Sequence, residues 1–338
     1  MVDDVICISE CGYKTAMVNS FMQCKTSSKK LQFGVTKCKK IHIGKTCEDY
    51  KCHPVYVDSW KEIEKKNDET GKDEVKDICL GEEVMEEKDE ENYLGDIISK
   101  DGRNLKNIKA RVNKGKGIVR KILNILEGIP FWRLYFQVAV LLRNSLLVSS
   151  LLCNSEAWFN LTNSELDLLE TVDVTLLRRV LGAPKSTSKE MLYMELGLMP
   201  LRDMIRQRRL IFLHYLLNQD ADSLLFKVLE KQCEMTSSKD WVTSVIKDLE
   251  FLELHVTFSD IQEMGKTKWK SIVKNVTKEK TLKRLEIIKQ RHSKVKLIKH
   301  TKVKMQPYFL PDGLEMTKDI TQLIFKLRCR ETEANTNS

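Results

Sequence analysis

The chain has 338 residues, 57 Lys+Arg against 48 Asp+Glu for a net charge of +9, and 42% hydrophobic residues. That apolar content supports a sizeable core in two or three regions and excludes a wholly disordered chain. No signal-peptide pattern opens the sequence, the ten cysteines follow no disulfide framework, and the most apolar stretch, Leu134 to Cys153, is interrupted by Gln137, Arg143 and Asn144; a secreted disulfide scaffold and a membrane span are therefore excluded, and an intracellular protein with reduced thiols is expected.

The charge is uneven. Residues 61–92 hold 6 Lys against 14 Asp+Glu, a local −8, which leaves +17 on the remainder. A basic body points to a polyanionic partner. Nucleic acid fits better than a membrane, because the cations are spread among helical segments rather than gathered beside a lipid anchor.

In chain order, Asp3-Asp4 precede the apolar run Val5 to Ile8, the pattern of an acidic turn feeding a buried strand. Such a turn can hold a divalent metal, although an isolated Asp-Asp is usually a solvated turn. Tyr13 to Thr26 reads as a helix, and Leu31 to Val35 and Lys40 to Gly44 read as strands around a Thr36-Lys37 turn. Residues 46–92 read as a mobile acidic insert, with a short apolar cluster at Ile78, Leu80, Val84 and Met85. Tyr93 to Ile98 resumes strand character, ended by a turn at Ser99 to Gly102.

From residue 104 to about 235 the spacing predicts helices. Val119, Ile122, Leu123 and Leu126 share a face that ends at Gly128 and Pro130. Thr162 with Glu165 forms a capping box for a helix reaching Gly182, Thr187 with Glu190 repeats the device before Gly197, and Pro200 opens the next helix. Between Lys266 and Lys304 there are 15 Lys/Arg against 2 Glu, with Trp269, Ile272, Val273 and Val276 at helical spacing. A basic amphipathic helix pair with a polar face free for phosphates is the natural reading, set against the commoner solvated face.

The order of motifs resembles the C-terminal half of a non-LTR (LINE-type) retrotransposon reverse transcriptase of the Dong-like kind. Met1-Val2-Asp3-Asp4 looks like that family's catalytic turn, with Met1 where the family has an aromatic residue. Leu31 to Val35, Lys37-Cys38-Lys39 and His42-Ile43-Gly44 look like the next palm element, and Tyr93-Leu94-Gly95 with Ile98 resembles the hairpin that grips the primer terminus. Ser155-Glu156-Ala157-Trp158, Leu177 to Gly182, Leu192 to Gly197, Pro200-Leu201 and Arg208-Arg209-Leu210 are similar to the thumb.

The resemblance implies a mainly α fold in three parts: a small α/β palm remnant over 1–103 with the acidic insert at 46–92, a helical thumb bundle over 104–235, and a basic helical linker over 236–338. It implies that Asp3 binds catalytic Mg²⁺ in the full-length enzyme, that Asp4 is the second carboxylate of the turn, and that Lys37 or Lys39 neutralises the leaving pyrophosphate. Tyr93, Leu94 and Gly95 position the primer end. Lys106, Lys109, Arg111, Lys114, Lys116, Arg120 and Lys121 track the backbone of an RNA–DNA hybrid, with Arg202, Arg206, Arg208 and Arg209 doing the same on the helix after Pro200. The implied partners are an RNA template and a DNA primer, with no membrane, in a nuclear and cytoplasmic ribonucleoprotein.

Two-metal chemistry also needs an aspartate from an earlier palm strand and the fingers, whereas the chain begins at the catalytic turn. The expectation is a polymerase fragment that lacks its N-terminal half and is inactive alone. At the other end, Phe325 to Cys329 is expected to stop just before a zinc knuckle and endonuclease. Pro311-Asp312 with Glu315 and Lys318 imitates a nuclease signature at too short a spacing, and Cys38, His42, Cys47, Cys52 and His53 fit no standard knuckle, so no zinc is expected. The alternatives are a non-catalytic RNA- or DNA-binding helical protein and a decayed transposon product.

Overall fold

A computed structural model describes residues 39–41, 79–80, 83–84, 86–129, 134–235, 239–291, 304–306, 309 and 317–329. The chain divides into two compact units, Met1–Asn107 and Ile108–Ser338. Helix dominates the described residues and β-structure is confined to three two-stranded pairs, so the fold is mainly α.

In the first unit the described strands are β1 (Lys39–Lys40), β2 (Cys79–Leu80), β3 (Glu83–Val84), β4 (Glu86–Glu87), β5 (Glu90–Tyr93) and β6 (Asp96–Ser99). β1 runs parallel to β4, β2 antiparallel to β3, and β5 antiparallel to β6. Residues 79–87, expected within a mobile insert, therefore include strand. The Tyr93–Ile98 segment, which reads residue by residue as strand and by resemblance as a hairpin, is a hairpin folded at Leu94-Gly95.

Helix α1 (Leu105–Glu127) leads into the second unit. It buries Ile108, Val112, Val119, Ile122 and Leu126, the expected apolar face extended by about three turns towards its start. The apolar run Leu134–Cys153 forms α2 (Tyr135–Leu142), a π-helical segment (Arg143–Val148) and a last α-turn (Ser149–Leu151). Ser145 donates to the Leu141 carbonyl at 2.8 Å and Ser149 to those of Ser145 and Leu146. Such back-bonding relaxes the regular ladder and accompanies helix distortion.

Helix α3 (Asn163–Leu181) opens on the expected Thr162–Glu165 capping box and closes on Gly182 at φ +61. Helix α4 (Lys189–Leu196) is capped by Ser188, not Thr187: the Ser188 hydroxyl accepts from Met191 N at 3.4 Å, while Thr187 is buried. The remaining helices are α5 (Leu201–Leu217), α6 (Leu224–Glu234), α7 (Trp241–Phe251), α8 (Phe258–Glu263), α9 (Lys266–Arg291) and α10 (Lys318–Cys329). Residues 266–291 make one unbroken helix in place of the first member of an expected pair.

Two apolar cores organise this unit. The first joins α1 to α4 with Leu201 and Ile205 of α5 and with Phe309 and Phe325. The second joins Leu210, Leu213, Leu216 and Leu217 of α5 to Trp241, Val245, Ile261, Trp269 and Val273. Residues on both sides of the expected 235/236 boundary thus share a core. Trp269 is fixed there by its indole N–H, which donates to the Leu210 carbonyl at 2.8 Å.

Among the described residues Cys153, Cys233 and Cys329 are free thiols, and burial pushes the Cys329 thiol up to about 12. No helix among the described residues is long and apolar enough to cross a membrane.

Candidate nucleic-acid interface

In the hairpin, Tyr93 pairs with Asp96 across the two-residue turn Leu94-Gly95. Both turn residues have positive φ, +48 and +84, the condition for a type I′ turn whose twist matches the flanking strands. Gly95 is explained by that backbone alone, since a Cβ there would meet nothing within 4 Å. Leu94 is different: a branched residue in the left-handed region costs about 1–2 kcal/mol, and its side chain stands 68% exposed at the tip. The hairpin is tied to α1 by Asn107, whose amide donates to Asp96 Oδ1 at 2.7 Å and accepts from Ile97 N at 3.4 Å.

Along α1 the candidate cations separate into two groups. Lys106 Nζ lies 2.7 Å from Glu90 Oε2, and Arg111 is buried, its Nη1 donating to the Ser150 carbonyl at 2.9 Å. Arg111 is a correction to the expected set, because its charge is committed inside the molecule, whereas Lys106 stays exposed and shares its charge with an equally exposed Glu90. Lys109, Lys114, Lys116, Arg120 and Lys121 are exposed and make no ion pair among the described residues.

Two glycines on this helix differ in kind. Gly115 is a packing residue, since a Cβ would come within 2.8 Å of Leu151 Cδ2. Gly117 faces open space, with nothing within 4 Å. A glycine inside a helix costs about 1 kcal/mol relative to alanine, and no neighbour requires this one. Its surface neighbours at three and four residues are Asn113, Lys114, Arg120 and Lys121. The exposed face is therefore a cationic surface with a bare stretch of helix backbone at its centre.

Arg202 and Arg206 lie elsewhere. Arg202 grips Glu170 with Nε at 2.7 Å and Nη2 at 2.9 Å, and also reaches Asp167. Arg206 pairs with Asp203 at 2.9 Å and Asp248 at 3.4 Å, its guanidinium 3.9 Å from the Phe251 ring centroid. Arg208 donates to the Leu152 carbonyl and Arg209 to Asp248 at 2.6 Å. The arginines of α5 hold helices together, so the phosphate contacts expected of Arg202 and Arg206 are replaced by internal carboxylates.

Lys39 sits half-buried in β1 with Glu86 as its register partner. Asp3, Asp4 and Lys37 lie outside the described residues. No group of three or more His, Cys, Asp or Glu side chains that could hold a metal ion occurs among the described residues. No family model matches the chain, and neither a curated protein nor a solved structure shows a significant match to it.

Sequence reasoning missed the buried carboxylates that pair with the arginines of α5. Glu170, Asp203 and Asp248 are buried on helix faces that are otherwise apolar, and an acid within an apolar stripe was the available signal. Burial opposes ionisation of Glu170, but hydrogen bonds from Arg202 and Lys189 outweigh it and hold the carboxyl below its usual range. Asp167 is lowered chiefly by its hydrogen bond from Lys189.

Both folded values lie below the unfolded ones, about 4.3 for Glu and 3.9 for Asp. Their stabilisation is therefore complete above about pH 5 and is lost as pH falls through the depressed values. The melting temperature of the native chain should drop more steeply on acidification than that of Glu170→Gln, so that the two curves converge at low pH. Parallel curves would show that the Glu170 pair contributes nothing to acid sensitivity.

Proposed function

We propose that this chain is the palm edge, thumb and linker of a LINE-type reverse transcriptase, and that its described part holds an RNA–DNA hybrid by the phosphate backbone. The observation that carries the reading is the exposed α1 face, where Lys114, Arg120 and Lys121 flank the open Gly117, Lys109 and Lys116 are exposed on the same helix, and none of the five has an ion-pair partner among the described residues. Cations neutralising phosphates release counterions, which supplies affinity without reading base sequence. Gly117 lets a sugar–phosphate strand approach the helix backbone. In the first unit, taken by itself, the exposed Leu94 tip offers an apolar contact suited to a primer terminus. In the family it resembles, Asp3 would hold the Mg²⁺ that activates the primer 3′-hydroxyl; this chain's own described residues bind and orient the duplex.

The test is fluorescence anisotropy of the full chain on an RNA–DNA hybrid across a salt series. Lys114→Gln with Arg120→Gln and Lys121→Gln should reduce the slope of log K against log salt by about 3, at roughly 0.9 per lost contact. Gly117→Ala should raise stability by about 1 kcal/mol while weakening hybrid binding, because the new methyl group occupies the approach. Leu94→Asp should weaken binding to a hybrid with a recessed primer end more than to a blunt one. An unchanged salt slope in the triple variant defeats the α1 assignment, and equal treatment of recessed and blunt hybrids favours a non-catalytic nucleic-acid binder.

A further inference from the structure

Helix α9 carries a second one-signed surface. Its first half holds Lys266, Lys268, Lys270, Lys274 and Lys278, all exposed, and no acidic residue before Glu279. Among the described residues the ion pairs of this helix begin only at that point, with Lys283–Glu279 at 2.7 Å, Lys280–Glu253 and Arg284–Asp203 at 2.5 Å.

This arrangement is unfavourable for an isolated helix. Lys266, Lys270, Lys274 and Lys278 repeat every four residues, and like charges at that spacing repel by about 0.2–0.5 kcal/mol per pair. They also crowd the half of the helix whose backbone dipole disfavours cations. Packing does not require them, since the buried side is made by Trp269, Val273, Thr277, Thr281 and Leu285.

We propose that this lysine ridge is a second phosphate-binding surface, and that its ligand is the backbone of a nucleic-acid duplex. The four lysines stand about 6 Å apart along a ridge about 18 Å long. Each duplex strand presents one phosphate per about 3.4 Å of axis, so that length faces about five phosphates, enough for each of the four lysines to meet one. Thr267, Ser271 and Asn275 form a parallel exposed row of short hydrogen-bonding side chains, the types that contact phosphate and sugar.

The remaining chemistry selects among polyanions. No aromatic side chain is exposed in this half of the helix, so there is no platform for the stacked bases of a single strand. No exposed apolar residue lies between the lysines, as an interfacial membrane helix requires. The ridge is also rigidly based: Trp269 is bonded to Leu210, and Thr281 donates to Asp203 at 3.0 Å. Little ordering remains to oppose binding. The surface lies on a different helix from the α1 face and depends on no catalytic reading of the chain.

The test uses the full chain, a blunt fluorescent DNA duplex and a salt series. Lys270→Gln with Lys274→Gln should lower the slope of log K against log salt by about 2 and weaken binding by about tenfold to a hundredfold at ~0.1 M salt. Its melting temperature should stay level or rise, because two like-charge neighbours are gone. Lys270→Arg with Lys274→Arg should retain binding. Should the glutamine pair fail to fold, Lys266→Gln with Lys278→Gln carries the same expectation. A folded glutamine variant with native slope and affinity overturns the proposal, as does a loss seen on anionic phospholipid vesicles and not on the duplex.

Discussion

Replacing Asp173 by alanine should remove about 3–5 kcal/mol of stability, the cost of leaving a buried cation without its counterion. Asp173 and Arg143 both have no solvent exposure. The guanidinium donates Nε to Oδ1 at 2.7 Å and Nη2 to Oδ2 at 2.6 Å, with Nη1 donating to Asn144 Oδ1 at 2.9 Å. Tyr193 completes the cluster by donating its hydroxyl to Asp173 Oδ2 at 3.0 Å. Burial, joined by the Asp173 charge, pushes the Tyr193 phenol well above its usual range, so it stays a proton donor. Taking Arg143 and Asp173 together to methionine and leucine, with Tyr193→Phe, should recover most of the loss, since an apolar cluster of similar volume carries no desolvation cost. Urea unfolding measures both variants, and a native-like midpoint for Asp173→Ala would show that Arg143 finds water or another acceptor.

The second large effect belongs to Gly197, the residue that ends α4. At φ +63 a Cβ is strained, and here it would also stand 2.5 Å from Met305 N and 2.9 Å from Lys304 Cα. Those atoms are backbone and cannot rotate away; the nearby Gln306 N donates to the Glu195 carbonyl at 3.1 Å. Gly197→Ala should therefore destabilise by about 3 kcal/mol or more, strain and overpacking combined. Gly95→Ala supplies the comparison, with positive φ but open surroundings, and should lose only about 1 kcal/mol. Equal losses in the two variants, read by thermal unfolding, would mean that residues 304–306 yield without penalty.

The helical boundaries that were legible in the sequence are those written in local chemistry. Thr162 with Glu165 begins α3, Gly182 ends it, and the apolar stripe of α1 runs where its periodicity puts it. The capping residue of α4 slipped by one because Thr187 and Ser188 are adjacent and equally able to cap. The residue pattern alone does not show the hairpin, because leucine rarely takes positive φ and Tyr93-Leu94-Gly95 then reads as strand; only the family resemblance pointed to a hairpin there.

The candidate interface was only half legible. Periodicity identifies which α1 cations share a face, yet the burial of Arg111 depends on the Ser150 carbonyl, 39 residues away in sequence. Arg206 likewise meets Asp248 at a separation no local pattern encodes. Arg143 within an apolar run signalled a required counterion without saying which carboxylate supplies it.

Helix α5 contributes Leu201 and Ile205 to one core and Leu210, Leu213, Leu216 and Leu217 to the other. Opening either core strips this helix of half its partners, so the two melt as a single cooperative element. Its amide protons should then exchange only through global unfolding, which native-state hydrogen exchange reads. The helices before and after residue 235 are consequently inherited or lost together, because a break between them leaves an uncovered leucine face that neither piece can hide.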